Sequence, residues 1–113
     1  MSITATNLWS TRTGAPVANQ IEIEQKETDK KWNLKKHVIT FQSYRSQICD
    51  IDQVKQIIYI YKDWDYSNTT RIYFNQFLTD NGLRFLYDEI KTADKNGVKC
   101  FETNGNYTVY FVK

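Results

Sequence analysis

Two apolar stripes of helical period lie between blocks of strand-like sequence, and that order leaves few architectures open. Tyr73, Phe74, Phe77 and Leu78 make the first stripe, and Leu83, Leu86, Tyr87 and Ile90 make the second. Asp63-Trp64-Asp65-Tyr66-Ser67-Asn68 supplies cap residues before the first; Thr79-Asp80-Asn81 ends it, and Asn96-Gly97 stops the second. Upstream, Ala18–Lys26 alternates, with Ile21 and Ile23 on one face and Glu22 and Glu24 on the other. Leu34–Gln42 contains Val38-Ile39-Thr40-Phe41. Lys55–Lys62 contains Ile57-Ile58-Tyr59-Ile60-Tyr61, apolar on both faces and therefore expected in mid-sheet. Downstream, Val98–Thr103 and Asn106–Val112 flank Asn104-Gly105. That dipeptide tolerates positive φ, so the spacing predicts a two-residue type I′ hairpin with Tyr107, Val109 and Phe111 sharing a face.

The element order is thus β-β-β-α-α-β-β. Strands in blocks predict an α+β fold: a mostly antiparallel sheet of about five strands, with two helices packed on one face. Gly14-Ala15-Pro16 is a break near the start, which predicts a short N-terminal arm, 1–16, followed by a single α+β domain, 17–113. A chain of 113 residues with 41% hydrophobic and 25% charged residues can fold without disulfide or metal. Cys49 and Cys100 form no CxxC pair and are expected as reduced, largely buried thiols. The first residues lack the basic start and apolar run of a signal peptide, and no apolar run reaches membrane-spanning length, so a cytoplasmic location is expected, with no membrane partner.

Catalytic patterns are missing. One histidine, His37, cannot build a histidine metal cluster, and there is no HExxH or GxSxG pattern. Asp50, Asp52, Asp63 and Asp65 have no spacing that requires them to meet. The expectation is a protein with no catalytic residues, no metal and no cofactor.

Three stretches carry the candidate surfaces. Lys30-Lys31-Trp32-Asn33-Leu34-Lys35-Lys36 concentrates positive charge around one tryptophan in a chain whose net charge is only +2. Such a loop could track phosphates through Lys30, Lys31, Lys35 and Lys36 while Trp32 stacks on a base; a solvated hairpin with lysines guarding its edge explains it equally. In Phe41-Gln42-Ser43-Tyr44-Arg45-Ser46 a strand runs into a polar loop, and Tyr44 and Arg45 suit either recognition or a self-satisfied turn. At the Asp63–Arg71 corner, Asp65 or Ser67 can cap a helix, and Trp64 and Tyr66 can pack over the bend. The competing reading is that Trp64, Tyr66 and Arg71 flank a helix N-terminus that receives a small anionic ligand or nucleotide.

Val17-Ala18-Asn19-Gln20-Ile21-Glu22-Ile23, Phe41-Gln42-Ser43-Tyr44-Arg45-Ser46-Gln47-Ile48 and Trp64-Asp65-Tyr66-Ser67-Asn68-Thr69-Thr70 stand in that order. Together, over about residues 12 to 80, they resemble a family of small uncharacterised proteins of bacteriophages and mobile elements, a domain of unknown function. The resemblance implies a phage-type accessory protein in a host bacterial cell and supplies no catalytic residues. The segment from Lys26 to His37 is longer and more charged than the short turn of that pattern, and everything after Gly82 lies outside it. The resulting expectation is a non-enzymatic protein that binds a host protein or nucleoprotein complex, with inhibition of a defence nuclease, as an anti-CRISPR protein does, as the leading case. The alternatives are a nucleic-acid binder acting through Lys30–Lys36 and a small-ligand protein or enzyme acting at Asp63–Arg71.

Overall fold

A computed structural model of the chain describes residues 1–10, 12–103 and 106–112. The elements are β1 (Ser2–Trp9), β2 (Pro16–Thr28), β3 (Leu34–Ser43), β4 (Ser46–Asp52), β5 (Ile57–Tyr61), α1 (Asn68–Asp80), α2 (Leu86–Lys95), β6 (Cys100–Glu102) and β7 (Thr108–Val112). They build an α+β fold with one sheet of seven strands in the order β1-β2-β3-β4-β5-β7-β6. All neighbours pair antiparallel except β5 and β7, which are parallel, so the sheet is mixed.

Two strands exceed the expected number of about five. One is β1, within the stretch read as an arm: it pairs with β2 from Ser2↔Lys26 to Asn7↔Ile21. The other is β4, whose two-residue connection from β3 turns at Tyr44 and Arg45, with Ser43 opposite Ser46. The charged segment before His37 is also mostly strand, because β2 runs to Thr28 and β3 resumes at Leu34. The expected Asn104-Gly105 turn lies outside the described residues. On its flanks, Thr103 N–H donates to Tyr107 O, Phe101 pairs with Val109, and Asn106 takes a left-handed φ of 68°.

Alternation sends Phe41, Ile51, Ile58, Ile60 and Val109 to one face, where they are fully buried under Phe74, Phe77 and Leu78 of α1 and Ile90 of α2. Phe41 stacks on both Phe74 and Phe77, with ring centroids 6.1 and 5.4 Å away. Each such side chain contributes about 1.5–3 kcal/mol by burial. The opposite face has no helix over it and carries the stacked pair Tyr59 and Tyr110.

Sequence chemistry fixes the helix ends. Ser67 caps α1 in extended backbone, its Oγ accepting from Thr70 N–H at 3.1 Å. Gly82 (φ +77°) and Gly97 (φ +71°) end α1 and α2 in the left-handed region that favours glycine. After each, a bond five residues back, Leu83 N–H to Leu78 O and Val98 N–H to Ala93 O, closes the last turn. Two side-chain bonds tie α1 to the outer strands: Gln76 Nε2 donates to Trp9 O at 2.9 Å, and Asn81 Nδ2 to Glu22 Oε1 at 2.9 Å.

Candidate functional site

The β2–β3 ribbon outruns its neighbours. Pairing with β1 ends at Lys26 and pairing with β4 at Val38, so the ribbon's last turn projects alone. Its tip is built on Asp29. The carboxylate accepts from the backbone N–H groups of Lys31 (2.8 Å) and Asn33 (2.9 Å) and from Asn33 Nδ2 (3.3 Å). These bonds favour the ionised form and hold the Asp29 carboxyl below its ordinary pKa. Trp32 N–H donates to Asp29 O, and Trp32 itself sits at φ 64° with 86% of its surface exposed. A large apolar ring is thus held outward by a turn that satisfies its own backbone.

The four lysines are all exposed. Lys30 and Lys31 belong to the tip, whereas Lys36 is paired in β3 and Lys35 is the extra residue of a bulge, since Glu27 faces Lys36 and Thr28 faces Leu34. Glu27 lies directly across from Lys36 and offsets part of its charge.

Tyr44, Arg45 and Tyr66 meet at the other end of β3, roughly 30 Å from the tip at ~3.3 Å per strand residue. With Ser43, Ser46, Ser67 and Thr69 they line an open cleft of about 570 Å3 between the β3–β4 turn and the start of α1. Tyr44 is held at φ 55°, its N–H donating to Asn19 O at 2.7 Å and its carbonyl accepting from Gln42 Nε2 at 3.0 Å. Asn19 is also left-handed, at φ 66°. Behind the cleft, Ser43 Oγ, Thr70 Oγ1 and Ser67 Oγ form a hydroxyl chain with spacings of 2.9 and 3.0 Å. Gln20, opposite Ser43 in register, is fully buried and neither amide atom has a hydrogen-bond partner among the described residues. Sequence reasoning passes over Gln20; the signal is its even place in a strand whose Glu22 and Glu24 share that face.

The remaining candidates serve the fold. Trp64 is buried, packed against Phe74 and Tyr87, and so is not available at the surface of the corner. Arg71 wraps the corner, its guanidinium donating to Asp65 O at 3.1 Å and Asn68 Oδ1 at 3.5 Å. Ser67, not Asp65, is the cap. Asp50 accepts from Thr40, Gln47 and Tyr61 on the helix-free face, while Asp63 accepts from Ser46. Among the described residues no acidic, histidine or cysteine group is arranged to hold a metal ion. His37 Nε2 lies 2.7 Å from Glu24 Oε2. Burial raises the thiol pKa of Cys49 and leaves it inert; Cys100, expected to be buried, is exposed because β6 is the sheet's outermost strand.

With this geometry in place, a family model described as a family of unknown function (DUF8033) matches residues 11–93. The chain belongs to this family. The range shared with DUF8033 takes in both the projecting tip and the cleft, and it closes before β6 and β7. No curated protein and no solved structure matches the chain. Among the described residues, no helix is long and apolar enough to cross a membrane.

Proposed function

We propose that this protein is a non-enzymatic binding protein that contacts nucleic acid, free or inside a nucleoprotein complex, through the β2–β3 tip. The observation that carries the reading is Trp32, 86% exposed at the end of a ribbon that carries four exposed lysines. A two-stranded ribbon fits the major groove of a duplex. In this reading Lys30 and Lys31 at the tip and Lys35 and Lys36 at the start of β3 reach the phosphates that flank such a groove, and Trp32 leads into it. Inhibition of a host defence nuclease is the narrower form of the same proposal: a protein that engages nucleic acid within an effector complex obstructs it. That narrower form, and a phage or mobile-element origin, rest on the sequence resemblance alone.

The test is fluorescence anisotropy with short duplex DNA, duplex RNA and single strands across a salt series. Duplex binding with a negative dependence on salt is expected. Replacing Lys30, Lys31, Lys35 and Lys36 with serine should flatten the log–log slope by up to about 3.6, at ~0.9 for each phosphate that a lysine neutralises on duplex DNA. Absence of binding at low salt overturns the reading.

A second reading places a small anionic ligand in the cleft, and Arg45 favours it: its exposed guanidinium has no carboxylate within ion-pair distance among the described residues. A thermal-shift screen with nucleotides and inorganic phosphate checks this; a shift abolished by Arg45→Gln supports the cleft, and no shift with any of them removes it.

A further inference from the structure

We infer that β1 is a self-association edge, through which two copies of this chain pair antiparallel about a two-fold axis. The inference is independent of the tip.

β1 ends the sheet, with β2 on one side and, among the described residues, no strand on the other. An edge strand presents a row of unpaired N–H and C=O groups, and monomeric proteins blunt such edges with charge, proline, a bulge or brevity. The opposite edge follows that rule, because β6 has three residues and ends in Glu102. β1 does not: it is eight residues long, Ser-Ile-Thr-Ala-Thr-Asn-Leu-Trp, with no charged side chain and no proline. Its irregularity falls only after Asn7, leaving Ser2 to Asn7 as unbroken strand. Ser2 through Asn7 are all exposed, including Ile3 at 62%.

The chemistry of the strand selects a second copy as the occupant. Pairing β1 with itself centred on Ala5 sets Thr4 against Thr6, and such threonine pairs stabilise antiparallel ladders. On the helix-free face, alternation puts Ile3 and Ala5 on one side, with Ala5 opposite Ile23 and Ile3 opposite Gln25, and the two-fold sets the two Ala5 residues against each other. Charge does not oppose this. The nearest acids on the other face, Glu22 and Glu24, stand one strand inward. They would be about 14 Å from their symmetry mates, at ~4.8 Å per strand, beyond the Debye length at physiological salt. Glu24 is moreover bonded to His37 and lies 3.9 Å from Lys26. The pairing is isologous and closed: it consumes both β1 edges and leaves only the two short β6 edges exposed.

Sedimentation equilibrium of the full chain over the micromolar range tests the inference, alongside Thr4→Lys and Ala5→Lys, which place a charge on one face or the other of the edge. The wild type should be a concentration-dependent dimer. Each variant should keep its circular dichroism and weaken the dimer by roughly fivefold or more, since the lysines at Ala5 meet on the axis and those at Thr4 stand diagonally across it. A second measurement uses the Cys100→Ser background, in which single cysteines at Thr4, Ala5 and Thr6 are oxidised; the fastest intermolecular disulfide should form at the residue on the two-fold. A strictly monomeric wild type, a dimer indifferent to both lysines, or crosslinking no faster in β1 than at exposed Thr79 overturns the inference.

Discussion

Trp32 and Tyr44 are both exposed aromatic residues with positive φ, a conformation that costs an L-residue about 1–2 kcal/mol. Each is held there by specific bonds, Trp32 by the Asp29 turn and Tyr44 by Asn19 O and Gln42. The strain at Tyr44 predicts that Tyr44→Asn, which tolerates this region, raises thermal stability by up to about 1 kcal/mol; an unchanged or lower melting temperature contradicts it. For the tip, Asp29→Ala should weaken nucleic-acid binding while lowering the melting temperature only slightly, because the turn lies outside the core. The pH dependence follows from the lowered Asp29 pKa. The ionised carboxylate supports the turn above the ordinary carboxylate range, and that support is lost as pH falls through the lower, folded value. The amides of Lys31 and Asn33 should therefore shift in a proton NMR titration at a pH below that at which an ordinary aspartate titrates. At the corner, Ser67→Ala removes the cap and should cost about 1 kcal/mol by chemical denaturation. Of these residues, Trp32 and its lysines were plain in the sequence. The bulge at Lys35 was not, since it depends on the register of β2 against β3.

Periodicity revealed the elements with one clear buried face and missed those without one. Both helices announced themselves through their apolar stripes and the glycines that follow. β1 was invisible because only Leu8 of its eight residues is buried; an edge strand with no helix over it leaves no alternation to read. β4 was hidden for a different reason. The register slips between Phe41↔Cys49 and Gln42↔Gln47, so Ile48 is an extra residue, and the consecutive buried Ile48 and Cys49 break the period of two. The hydroxyl chain joining β3 to α1 was equally unreadable, because Ser43 and Thr70 meet only once the sheet is formed. Thr70→Val tests its worth: it strands the buried Ser43 hydroxyl and should destabilise by about 1–3 kcal/mol, with Ser43→Ala in the same background recovering part of the loss.

Over the whole molecule, strands β1 to β5 succeed one another as a meander, each pairing with the next. The exception is β5, whose second neighbour, β7, returns only after both helices and β6. The fold class was legible from the block order; this parallel pairing was not, because no local pattern records which distant strand a central strand will accept. Deleting residues 98–113 should expose the apolar edge of β5 and abolish cooperative unfolding; a soluble fragment with a sharp melting transition would show instead that β6 and β7 are accessory. The same late pairing has a consequence during translation. Chains grow at ~5–20 residues per second, so β5 waits roughly 3–10 s for β7 to be made. For that interval Ile58 and Ile60 belong to a strand with one free side, and the nascent chain is at its most adhesive while α1 and α2 are being synthesised.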